Sequence, residues 1–215
     1  ILPPRRTAVH HARKGARMEK YRRTLPEGYR EIEVIDIKRD KRVVVWGNAL
    51  SVLLMAAAAG IGCLIVPLSE AIRFEFGDIE SPLFSLLRLL AALSGSTAVV
   101  VLCCLLGAAA MRWCGAEKTE FSITKGLTYA LGCNGYFSRR AYVLYALAWA
   151  VILSVLILLV ALVLPRSWFW VAWFWEMVCV SLMGTTLYIL WRLRRLPADI
   201  WIQDGGEVMR VYALQ

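Results

Sequence analysis

Four long apolar blocks constrain this chain more than anything else in it. Val43–Leu68 is apolar except for Asn48 and Ser51. Leu93–Trp113 has only Ser94, Ser96, Thr97 and Arg112 as polar breaks. Ala141–Leu164 is nearly continuous, and Trp168–Trp191 is broken by Glu176 and a few hydroxyls. At about 1.5 Å per residue, each block as a helix is long enough to cross a hydrocarbon layer of about 30 Å. A soluble four-helix bundle would need a polar face on each helix, and none of the blocks has one. The expected fold class is therefore an α-helical integral membrane protein. Its four transmembrane helices are accompanied by small cytoplasmic β elements, and the lipid bilayer is its first partner.

Charge supports that reading and argues against nucleic acid as a partner. The net charge is +9, and 13 of the 25 Lys and Arg residues precede Val43. The loop after the first block holds Arg73 and Arg88 against Glu70, Glu75, Asp78 and Glu80. The next carries Arg112, Lys118, Lys125, Arg139 and Arg140, the next only Arg166, and the tail opens on Arg192, Arg194 and Arg195. Basic residues thus alternate as the positive-inside rule requires for a multi-pass cell-membrane protein with both termini cytoplasmic. Basic stretches beside a membrane also attract anionic head groups.

The chain divides into a basic tail (1–24), a four-span membrane domain (25–212) and, overlapping its end, a cytoplasmic C-terminal tail (192–215). Residues 1–17 do not read as a cleavable signal peptide. Met18 is an expected native start, which would leave His10 and His11 outside the natural protein. Leu25–Tyr29 reads as a turn, and Glu31–Lys38 alternates polar and apolar residues as a strand does. Leu83–Leu93 is expected to be an interfacial helix with Arg88 facing water, or else an extension of the second span. Residues 117–132 resemble a hairpin, and Asp204-Gly-Gly is a turn between two short strands that form a β layer with the 31–38 strand.

Among candidate functional groups, the six cysteines contain no Cys-x-x-Cys pair. Those within spans behave as small apolar residues. Cys114 and Cys133 flank a loop expected to be cytoplasmic, where a stable disulfide is not expected. Cys103 and Cys104 diverge by about 100° on a helix, so with Cys179 they make a poor soft-metal site. The aromatics Trp168–Trp175 suit a membrane interface without any ligand. Glu176 is the only acid well inside a span. It is a functional candidate by default, though about two turns from the outer end it is expected to reach water.

Three ordered segments resemble a bacterial membrane family described as putative zincin peptidases. They are Leu25-Pro-Glu-Gly-Tyr29, Tyr136-Phe-Ser-Arg-Arg-Ala-Tyr142, and Arg195-Leu-Pro-Ala-Asp-Ile-Trp-Ile-Gln-Asp204. The resemblance implies a site-2-protease-like arrangement: a His-Glu-x-x-His helix giving two zinc ligands and a general base, with a later Asp as third ligand. Spacing i, i+4 puts both imidazoles on one helical face. Counting from Trp113-Cys114-Gly115, the ligand positions fall on Cys103 and Gly107 and the base on Cys104. The later acid falls on Thr186, beside Thr185, and a proline of the family on Trp149. The only histidines are His10 and His11.

The chain is thus expected to be a degenerate member. It lacks the zinc cofactor's ligands, has no catalytic, cofactor-binding or metal residues, and is a non-enzyme that binds or regulates another membrane protein. Ala56–Gly60 and Gly107–Ala110 would permit close helix approach. The alternatives are an intramembrane hydrolase using Cys103 or Cys104 as nucleophile, and a small transporter component depending on Glu176.

Overall fold

The computed structural model describes residues 20–67, 69, 82–117, 119–124 and 128–214. The basic tail with His10 and His11, most of the loop after the first span, Lys118 and Lys125 lie outside the described residues. A two-residue strand β1 (Tyr21–Arg22) and β2 (Tyr29–Asp36) precede α1 (Lys41–Ile65). Then come α2 (Pro82–Trp113), the hairpin β3 (Glu120–Thr124) and β4 (Thr128–Gly132), and β5 (Tyr136–Ser138) running into α3 (Arg139–Val163). A 3-10 turn (Arg166–Trp168) leads to α4 (Phe169–Ser181), α5 (Met183–Leu193), β6 (Ile200–Asp204) and β7 (Val208–Leu214).

Four helical stretches are long and apolar enough to cross a membrane: Lys41–Ile65, Leu83–Trp113, Arg139–Val163 and Arg166–Leu193. Their outer surfaces are apolar as well. Leu64, Leu83, Leu162 and Val163 are all more than 70% exposed. That much contiguous apolar surface suits a lipid environment rather than water.

One expectation needs correcting. Leu83–Leu93 is no separate interfacial helix; it is the first third of α2. Arg88 does not face water either: it is 3% exposed, with its guanidinium 6.0 Å from the Trp168 ring. The apolar run on both sides of Arg88 carries the helix through, and the aromatic face of Trp168 gives the cation a partner.

The fourth stretch is two helices. It breaks at Leu182, between Ser181 and Gly184, a residue pair that tolerates kinks. Helix α4 is the centre of the bundle and packs on α1, α2 and α3, whereas α5 packs on α1. Two glycine notches seat α4. Trp173 lies over Gly62 and donates from Nε1 to the Ala58 carbonyl at 2.8 Å. Trp175, two residues on and so about 200° around the helix, lies over Gly95 and donates to the Ala91 carbonyl at 3.3 Å. In both cases the glycine stands four residues after the accepting carbonyl. The absent side chain lets the indole reach that oxygen's second lone pair. The Trp cluster is therefore partly packing inside the bundle rather than an interfacial belt throughout.

At one end of the bundle lies an antiparallel five-stranded sheet in the order β1-β5-β6-β7-β2. The expected pairing of the tail hairpin with the strand near residues 31–38 holds, with β2 starting at Tyr29 and a register shift between Glu31 and Glu33. The expected 117–132 hairpin pairs in register from Glu120↔Gly132 to Thr124↔Thr128. The turn at Glu27–Gly28 also forms, with Gly28 at φ +86. The strand at Tyr136–Ser138 was not expected, because three residues carry no readable periodicity. The main core fills the space between sheet and helix ends, built on Ile35, Met111, Phe137, Leu193, Ile202 and Met209. Arg192 ties α5 to this end, donating from Nε to Glu33 at 2.5 Å and from Nη1 to Asp40 at 2.7 Å. Asp40 also caps α1 by accepting from the Arg42 N–H at 2.9 Å. The Arg192 guanidinium holds the Asp40 carboxyl below the usual carboxylate range.

Candidate functional site

Helices α2 and α5 scarcely touch: the first packs on α3 and α4, the second on α1. The space left between them is a cavity of about 740 Å3. Cys103, Cys104 and Gly107 line it from α2, Trp149 from α3, and Thr185 and Thr186 from α5. Every position to which the sequence resemblance assigned a lost ligand, base or proline thus faces one space. Cysteines 103 and 104 and Gly107 share it because a helix face about 100° wide takes in residues i, i+1 and i+4. Thr186 reaches it because α5 leans on α1: a Cβ added at Gly184 would lie 2.2 Å from Ser51 Oγ, and one at Gly47 2.7 Å from Thr185 Oγ1.

The wall is mostly apolar, with Val100, Met111, Ala146, Val178 and Ile189 between the polar groups. At the far end, Ser96 and Thr97 spend their hydroxyl protons on their own helix, donating to Ala92 at 2.6 Å and Leu93 at 3.1 Å. At the sheet end sits a polar group that sequence reading had not marked as functional. Asp204, 8% exposed, accepts from the Tyr145 hydroxyl at 2.5 Å and from the Gly206 N–H at 2.9 Å. Burial raises its pKa, and those two hydrogen bonds partly offset the rise. Tyr142 packs edge-on against Tyr145 at 5.1 Å and also lines the cavity. Asp204 closes the tail turn and Tyr142 starts the third span, so each had a local explanation. Only the meeting of β6 with the first turn of α3 brings them together.

Zinc calls for three or four converging nitrogen, sulfur or oxygen donors. Gly107 has no side chain, Cys103 and Cys104 diverge along the helix, and a Thr hydroxyl is a poor ligand. Among the described residues no group of three or more His, Cys, Asp or Glu stands where it could hold a metal ion. This donor set does not fit zinc, and no metal-dependent step is derived from it. Cys103 instead packs with the fully buried Cys179, whose Sγ lies 3.8 Å from Ser154 Oγ.

Glu176 is not part of the cavity wall. Contrary to the expectation that it reaches water, it is 7% exposed, and its Oε2 has no hydrogen-bond partner among the described residues. The reason is that α4 packs on α1, α2 and α3 and turns Glu176 towards them, while Phe174, two residues earlier, is exposed. All six cysteines are free, including the buried Cys114 and Cys133.

Among curated proteins and among solved structures, nothing matches the chain. A family model described as a putative zincin peptidase matches residues 96–201, from the far end of the cavity to the second residue of β6. That stretch holds nearly all of the cavity wall, and over it the chain is similar to the putative zincin peptidase family.

Proposed function

We propose that this protein is a non-catalytic, four-span membrane member of that family which binds or regulates another membrane protein. The observation that carries the reading is the convergence of Cys103, Cys104, Gly107 and Thr186 on one cavity without a donor set for zinc. A hydrolase needs a water activated by metal or by base. Here Cys103 and Cys104 face apolar neighbours with no imidazole in the described residues, which also counts against a thiol nucleophile. The helix exteriors offer surface for a partner. Ala56 and Gly60 are exposed one turn apart on α1, with nothing within 4 Å of a Cβ built at Gly60. Small residues at that spacing let two helices approach closely in lipid. The positive-inside pattern supports an orientation with the sheet and both termini in the cytoplasm.

The test is zinc content and proteolysis by the purified protein in lipid. Stoichiometric zinc bound within the spans, or cleavage of a membrane peptide that is lost on Cys103→Ser, overturns the reading. A second reading, a small transporter component, draws on the buried carboxylate of Glu176. It requires a flux into vesicles that Glu176→Gln abolishes.

A further inference from the structure

The cavity between α2 and α5 is long and narrow. Its wall runs along α2 from Ser96 to Met111, about 22 Å of helix. An α-helix with side chains is about 10 Å or more across, a section of about 80 Å2. An extended peptide, about 4.8 Å by 10 Å, takes about 48 Å2. A single alkyl chain is narrower than either and suits a mostly apolar wall of that length.

The ends of the cavity differ in kind. The far end and the shaft are apolar, with the Ser96 and Thr97 hydroxyl protons already donated to their own helix. The sheet end carries the buried Asp204 carboxylate, and among the described residues no Lys or Arg lines the wall. Among the described residues, only the Tyr145 hydroxyl and the Gly206 N–H bond to that carboxylate, and no ion pair reaches it. The nearby cations are engaged elsewhere: Arg192 with Glu33 and Asp40, Arg139 with the Leu196 and Pro197 carbonyls. Beside Asp204 the Tyr142 side chain is 4% exposed, and its hydroxyl makes no hydrogen bond to a described residue. A buried acid without a counter-charge is costly, and a cation supplied from outside relieves the cost.

We propose that this cavity binds a single-chain amphiphile with a protonated amine head. The ammonium pairs with Asp204 and donates to the Tyr142 oxygen as a second partner, and the tail lies along α2 towards Ser96. That orientation puts the head at the charged end of the helices and the tail within their apolar length, as a lipid leaflet would hold it.

Brominated alkyl probes of equal chain length, bearing a primary amine, an alcohol or a carboxylic acid, test this on the full chain in nanodiscs. Trp149 lines the cavity, so a bound bromine quenches its fluorescence, read as the difference from Trp149→Phe. The amine is expected to quench saturably at concentrations roughly ten-fold below the other two, the worth of one charge-assisted contact. Asp204→Asn removes that preference and leaves alcohol binding in place. Thr186→Phe, which fills the shaft midway, removes saturable quenching by all three. If Asp204→Asn does not fold, the three-probe comparison on the native chain still decides. Equal affinity for the three heads, preference for the acid or alcohol, or saturable binding that survives Thr186→Phe overturns the proposal.

Discussion

Replacing Gly95 or Gly62 by alanine tests whether the two tryptophan notches hold the bundle together. A Cβ at Gly95 would stand 2.2 Å from both Cε2 and Nε1 of Trp175. One at Gly62 would stand 2.3 Å from Trp173 Nε1 and 2.6 Å from its Cδ1. Carbon contacts are comfortable at about 3.5–4.0 Å, so each indole must withdraw by more than about 1 Å. The withdrawal stretches the bonds to the Ala91 and Ala58 carbonyls beyond hydrogen-bonding range. Overpacking costs about 1–3 kcal/mol, and a lost interhelical hydrogen bond in lipid about 0.6–1.7 kcal/mol. Against this, alanine gains up to about 1 kcal/mol over glycine in a helix. The net expectation is a loss of about 1–3 kcal/mol per site.

Gly60→Ala is the built-in control. It lies on the same helix as Gly62 with nothing within 4 Å, so it should be neutral or stabilising by up to about 1 kcal/mol. Unfolding titrations in mixed micelles, followed by far-ultraviolet circular dichroism, give the comparison. Trp175→Phe in the Gly95→Ala background should recover part of the loss, because the smaller ring vacates the position of Nε1. If Gly62→Ala and Gly95→Ala prove as stable as Gly60→Ala, the notches do not seat α4 and the account of the bundle's centre is wrong.

Gly184→Ala should be worse than either, by about 3 kcal/mol, since two of its nearest neighbours are backbone atoms, Ser51 N at 2.4 Å and the Gly47 oxygen at 2.6 Å, which cannot rotate away. Arg192→Met should cost about 1–2 kcal/mol, because it leaves the part-buried Glu33 and Asp40 beside each other without their cation, and the loss should shrink in high salt. In the native chain the Asp40 pKa is depressed by Arg192, so its contribution is present above the ordinary carboxylate pKa of 3.8 and fades as pH falls below it; Arg192→Met should flatten that acid limb of the stability curve. Asp204 runs the other way: its pKa is raised by burial, so it weakens the fold as pH climbs from 3.8 through its folded value. Asp204→Asn should remove that decline, and a steeper decline in the variant would contradict the burial argument.

Much of the fold could be read from the chain because the physics involved is local. Twenty-odd apolar residues in a row, a polar–apolar alternation over Glu31–Lys38 and an Asp-Gly-Gly turn each state their structure without help from distant residues. Reading failed where a residue's fate depended on another element. Arg88 looked like a water-facing charge until Trp168, eighty residues away, supplied a ring to cover it. Glu176 looked two turns from the surface, yet its helix packs on three others and Glu176 is on a packed side, which no count of residues from a span end can reveal. Trp173 and Trp175 matched the composition of an interface, and the signal that would have corrected this was the pair of glycines Gly62 and Gly95. For the site, the resemblance located the wall at Cys103, Cys104, Gly107, Trp149 and Thr186, but not its polar end at Asp204, which joins the cavity only through tertiary contact.

Those same contacts explain why a cavity stands at positions without metal donors. Its width is the separation of α2 from α5, and most of the contacts that set it lie away from Cys104, Gly107 and Thr186. The indole of Trp175 over Gly95 fixes α2 against α4, and Gly47, Ser51, Gly184 and Thr185 fix α5 against α1. Arg192 then pins the end of α5 to β2 and to the cap of α1. A site assembled around a metal would collapse when its ligands were replaced, since metal binding and folding are then one free energy. Here the frame does not depend on residues 104, 107 and 186, so their chemistry can vary while the space between them persists. Filling that space should therefore abolish ligand binding with little effect on the unfolding midpoint, whereas Gly184→Ala should shift the midpoint strongly from outside the cavity wall.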